Sequence, residues 1–175
     1  MKTYTITKQD LNANNNYIGK TDLGNFDGNI ESSENLGTVE FPKGVKVSGY
    51  IYFKAGSGIK AGSGIKAGLG IEAGLGIEAG LGIEAGLGIE AGEGIKAGWD
   101  IKAGEGIKAG LGIEAGLGIE AGEGIKAGWD IKAGLGYKIF AGISIYIKNA
   151  IKTIHCEKLV SGEVGYGELI IEQRK

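Results

Sequence analysis

From Ile59 to Ile131 an isoleucine stands at every sixth position, thirteen in succession, and each is followed two places on by alanine. The single residue between them is lysine or glutamate throughout. Apolar, charged, apolar is the alternation of a strand with one buried face: Ile and Ala point inward and the charge points out. A glycine follows each alanine, then a variable residue, then in most hexads a second glycine. The phrase runs almost without error from Phe53 to Gly136. A period this strict marks an array of stacked units, so the fold is read from the repeat. The 36 glycines also raise the possibility of an elastic or disordered chain. Disorder would not hold Ile and Ala at a fixed offset, so the pattern predicts an ordered β-solenoid.

The charged position predicts how many hexads close one coil. Stacked coils bring equivalent residues to about 4.8 Å, where opposite charges attract and like charges repel by a few tenths to about 1 kcal/mol. Between Lys54 and Lys138, ten of twelve pairs are opposite at a lag of 18, the failures being Glu72/Glu90 and Lys108/Lys126. A lag of 12 gives eight of thirteen and a lag of 24 eight of eleven. The expectation is an all-β parallel solenoid with 18 residues per coil, placing residue 78 over residue 96.

The variable fifth position holds Ser, Leu, Glu or Trp. No core slot of fixed size accepts all four, because overpacking and buried charge both cost stability. It is therefore expected outside, at a corner between glycines that permit the turn. The Ile/Ala interior is then narrow and dry. One corner stacks Leu81, Trp99, Leu117 and Leu135, an apolar ridge suited to a partner or a second copy. Trp129 stands on another corner.

Counting back in sixes from Ile59 reaches Phe53, Val47 and Phe41, which predicts coils beginning near Phe41, with Pro42 on a first edge strand. Residues 1–40 are polar, rich in asparagine and outside the hexad, and are expected to form an N-terminal cap. Thr7-Lys8-Gln9-Asp10 resembles a helix start. The solenoid is expected over 41–148, and residues 149–175 as a C-terminal cap or oligomerisation segment.

A net charge of −2 offers no strong field for nucleic acid or an anionic membrane. No stretch approaches the roughly eighteen uncharged apolar residues that would span a bilayer. One cysteine allows no intrachain disulfide, and the first residues lack an apolar leader, so a reducing cytoplasm is expected. His155 and Cys156 are one His and one Cys, too few for a zinc site, and sequence neighbours on a strand point to opposite faces. No threonine lies between Thr38 and Thr153, which argues against an ice-binding face. Neither catalysis nor a cofactor is expected.

The hexads resemble those of left-handed parallel β-helix proteins over about half the chain, although in that family the small residue precedes the aliphatic one by two and here Ala follows it. That family includes acyltransferases with a catalytic histidine and carbonic anhydrases with three metal-binding histidines. The single His155 reproduces neither set. The Ala-Gly-x-Gly-Ile-(Lys/Glu) arrays also resemble small β-solenoids of phages and mobile elements, among which anti-CRISPR inhibitors dock on nuclease complexes. The resemblance implies a non-enzymatic, protein-binding solenoid in a bacterial host cell. Asp22, Asp27, Glu31, Glu34 and Glu40 are then candidates for secondary contacts. The alternative is a structural or self-assembling rod without a dedicated partner.

Overall fold

The computed structural model describes residues 1–143 and 151–172. The chain winds as a parallel β-solenoid whose short strands stack into three sheets, one of nine strands and two of seven. We call them face one (starting at Thr3–Ile6), face two (starting at Gly37–Phe41) and face three (starting at Val45–Val47). In the regular region each strand is one Ile-(Lys/Glu)-Ala triplet, for example Ile77–Ala79, Ile83–Ala85 and Ile89–Ala91 on faces two, three and one.

The register is that of an 18-residue coil, with Glu78 beside Lys96 and Ile77 beside Ile95. Every described Ile and Ala of the triplets is buried, and the residue between them faces outward. The corners are laddered too: Gly98 N–H donates to Ala79 O and Trp99 N–H to Leu81 O, one coil below. The corner bonds thus continue the inter-coil ladder through part of each turn, while the first glycine of the corner, such as Gly86 or Gly98, lies exposed at the surface.

The corner glycines serve a different purpose from the expected one. None in the array from Gly62 to Gly134 has positive φ. They supply space instead: a Cβ on Gly104 would lie 2.0 Å from the carbonyl oxygen of Gly86 in the coil below. The left-handed region is needed where the hexad gains two residues. Gly56 (φ 78°) and Gly136 (φ 80°) each stand third in a turn closed by Ser57 N–H to Lys54 O and Tyr137 N–H to Gly134 O. That is type II geometry, which favours glycine at this place.

These two insertions correct the frame at both ends. Ile51, Val45 and Val39 are the isoleucine equivalents, paired with Ile71, Ile65 and Ile59. Phe53, Val47 and Phe41 occupy alanine positions, so the sixfold count back from Ile59 is two residues out of phase. Tyr52, and not Lys54, precedes Glu72 in the outward column. At the other end Phe140, and not Lys138, follows Glu120. Pro42 lies just past its strand, in a corner.

The ladders also start before Phe41. Thr3–Ile6 pairs with Asn29–Ser32, Asn16 bridges Glu40 and Phe26 bridges Val47. Residues 1–32 thus make one broad coil with excursions, and its aromatic residues close the end. Tyr4 packs edge-on to Tyr17 and Phe26, and Tyr17 continues to Phe41 and Phe53. Lys8–Asp10 is a single 3-10 turn, with the Asp10 carboxylate accepting from Thr7 and Tyr4.

At the C-terminal end Thr153–Cys156, Lys158–Ser161, Glu163–Tyr166 and Glu168–Ile171 add to the same three sheets. Ile154 pairs with Leu169, a coil of only 15 residues, and Gly162 and Gly167 turn with positive φ. The expected boundary between 148 and 149 lies outside the described residues.

Candidate protein-binding surface

The outward residues form columns, and the three faces differ in how those columns are charged. On face two Glu40, Lys60, Glu78, Lys96, Glu114 and Lys132 alternate perfectly. Ion pairs follow this column, including Lys60–Glu40 at 3.7 Å, Lys96–Glu114 at 3.5 Å and Lys132–Glu114 at 2.9 Å. The hydrogen bond from Lys132 and the nearby Lys96 charge hold the Glu114 carboxyl below its ordinary range. Face three alternates from Lys66 to Glu120, with Lys66–Glu84 at 2.7 Å and Lys102–Glu120 at 3.6 Å. These exposed pairs contribute little singly, about 0.2–1 kcal/mol each.

Face one is segregated. From the N-terminal end its outward column reads Glu31, Tyr52, Glu72, Glu90, Lys108, Lys126 and His155. Within the column acidic groups fill one half and basic groups the other, with Glu172 against His155 and Glu123 at the groove edge as the acidic groups near the basic half. The two sides meet at Glu90 and Lys108, 2.5 Å apart, and that hydrogen bond raises the Lys108 pKa. A groove of about 810 Å³ runs along this face, larger than those on faces three and two. Tyr50 and Tyr52 line its acidic end, Ile151 and His155 its basic end. The Tyr50 hydroxyl donates to Glu31, which raises the phenol pKa. His155 Nδ1 is 2.7 Å from Glu172, whose carboxyl is held low by that contact.

This segregation was missed from sequence, although the signal was present. The two failures of the 18-residue lag, Glu72/Glu90 and Lys108/Lys126, fall in one column.

The corner between faces two and three carries the expected ridge. Trp99 N–H donates to Leu81 O and Leu117 N–H to Trp99 O, so three members stack coil on coil. Trp99 is 54% exposed, Leu81 37% and Leu117 partly buried. Leu135 leaves the column. Gly134 takes the bond to Leu117 O, and Leu135 stands 89% exposed in the turn lengthened at Gly136. Trp129, 47% exposed, lies on the corner between faces one and two. Both tryptophans precede an aspartate in place of the second glycine, and Asp100 accepts from Gly118 N–H at 2.9 Å.

The acidic candidates are dispersed. Glu31 binds Tyr50 on face one, Glu40 pairs with Lys60 on face two, and Glu34 pairs with Lys8 at 3.3 Å. Asp27 accepts from the Ser48 hydroxyl and Asp22 from Gly24 N–H. They do not form one patch.

His155 and Cys156 alternate as strand neighbours do. His155 faces outward, while Cys156 is buried beside Ile154 and burial pushes its thiol pKa up. Among the described residues no three His, Cys, Asp or Glu side chains converge as a metal-binding group. No described helix is long and apolar enough to cross a membrane. No family model, curated protein or solved structure matches the chain.

Proposed function

We propose that this chain is a non-enzymatic protein-binding solenoid that presents its outer corner to another protein. The observation that carries this reading is the Leu81–Trp99–Leu117 column, with a half-exposed tryptophan at its centre. Exposed aromatic residues flanked by aliphatic neighbours are the usual anchors of protein interfaces. A rod without a dedicated partner needs the charge ladders, which stabilise the stack, but gains nothing from a tryptophan left half in water.

The resemblance to phage and mobile-element solenoids directs the partner to a bacterial host's nucleic-acid-targeting complex, with the protein acting as an anti-CRISPR-type inhibitor in the cytoplasm. Docking on protein fits better than mimicry of DNA, because faces two and three alternate charge instead of presenting acidic rows.

The test is Trp99→Glu, titrated against the partner isolated from the native host. The corner side chain lies outside the Ile/Ala interior, so circular dichroism and melting should match the wild type. Affinity should fall about thirtyfold, the loss of one aromatic anchor of roughly 2 kcal/mol. Unchanged affinity in the folded variant, or unfolding of the variant, overturns the assignment.

A further inference from the structure

Face two alternates its charges throughout and face three does so from Lys66 onward, after one like-charge contact between Lys46 and Lys66, whereas face one gathers its charges by sign. Glu72 stacks on Glu90 and Lys108 on Lys126. Glu90 and Lys108 are, among the described residues, the one lysine–glutamate pair joined within this column, and His155 contacts Glu172 at its end. Among the described residues neither Glu72 nor Lys126 has an ion-pair partner. Two like-charge contacts in one column, of opposite sign, are unfavourable in the isolated chain. Both become favourable beneath a surface of the reverse polarity.

We infer that face one binds a second copy of this chain, with the two solenoids antiparallel. A two-fold interface must be self-complementary, since each residue meets its symmetry-related counterpart. Place the two-fold axis in the interface, along the strands, between the Glu90 and Lys108 rungs. Glu90 then faces Lys108 of the second copy, Glu72 faces Lys126, and Tyr52 faces His155, each pair formed twice. Along the corner shared with face two, Leu75 faces Trp129. A parallel arrangement would set Glu90 against Glu90 and Lys108 against Lys108, so the charge order itself selects the antiparallel one.

The size of the face fits this occupant. With the axis between the fifth and sixth of nine rungs, eight rungs overlap and span roughly 34 Å at about 4.8 Å each, and a side of about five residues is roughly 16 Å wide. Roughly 540 Å² per copy, about 1,100 Å² in total, lies in the range of weak, reversible interfaces. The dimer should therefore be modest in affinity and weakened by salt. The Trp99 corner lies opposite face one, so dimerisation leaves two such corners free, one per copy. Their engagement would be bivalent.

Glu72→Lys and Lys126→Glu test the inference with little risk to folding. Each replaces a like-charge contact within the column by an opposite one. Each also sets like charges against one another twice across the two-fold axis. By sedimentation equilibrium the wild type should dimerise at low salt and dissociate as salt is raised. Each variant should self-associate at least about tenfold more weakly. An equimolar mixture of the two should recover a 1:1 heterodimer. In it the lysine introduced by the first substitution faces the glutamate introduced by the second, and the native Glu72 of one variant faces the native Lys126 of the other. Glu114→Lys with Lys132→Glu, a charge swap on face two that leaves the net charge at −2, should leave dimerisation unchanged. A wild type that stays monomeric at low salt, variants that dimerise like wild type, or a mixture of folded variants that stays monomeric would overturn it.

Discussion

Gly104→Ala should destabilise the fold by roughly 3 kcal/mol, whereas Gly106→Ala, two residues on, should cost about 1 kcal/mol or less. Both glycines flank the same corner residue, Glu105, and neither has positive φ. They differ in what a methyl group would meet. At 104 it would lie 2.0 Å from Gly86 O and 3.0 Å from the carbon behind it. That carbonyl belongs to a laddered corner and cannot retreat without breaking the coil. At 106 the nearest atom is Gly124 O at 3.2 Å, a gap closed by a shift of a few tenths of an ångström. Urea midpoints would separate the two. Equal costs would mean that the first glycine is kept for its conformational freedom and not for space.

Phe53→Ala should cost about 3–5 kcal/mol, the range for a large aromatic cavity in a packed interior. Phe53 is 1% exposed, sits where the next coil has Ala73, and packs edge-on to Phe41 at 6.3 Å between centroids. Its coil has two extra residues around Gly56, and the wider ring accommodates the larger side chain. Ala73→Phe, one coil on, should also destabilise, because that ring is 18 residues long and has no such slack. Thermal unfolding of the pair would check both. If Phe53→Ala melted like the wild type, the aromatic residues from Tyr4 to Phe53 would not be what closes this end.

The coil was legible because its evidence is periodic. Ile and Ala at a fixed offset gave the inward face, and the charge between them gave the 18-residue stacking found at Glu78 and Lys96. What failed was phase. Lys54-Ala55-Gly56-Ser57 and Gly134-Leu135-Gly136-Tyr137 imitate the hexad in composition while adding two residues, so a sixfold count runs through them unaware. Phe53 then passed for an isoleucine equivalent and Leu135 for a ridge residue. Residues 1–32 concealed their coil for another reason. Their bridges at Asn16 and Phe26 are single residues separated by loops, too sparse to leave a period. On the surface, the outward placement of Leu81, Trp99 and Leu117 followed from the mixed residue types at that position. The polarity of face one needed the columns read one face at a time.

Ridge, faces and charge columns all depend on which residue lies above which. The most direct test pairs cysteines on the outer surface of face two. Stacked strands bring Cα atoms to about 4.8 Å, within disulfide reach. Under mild oxidation Glu78→Cys with Lys96→Cys should close an intramolecular disulfide, seen as a faster monomer band on a non-reducing gel. Glu78→Cys with Glu90→Cys, which belong to different faces, should not. A disulfide between 78 and 90, with none between 78 and 96, would contradict the three-sided coil and every surface built on it.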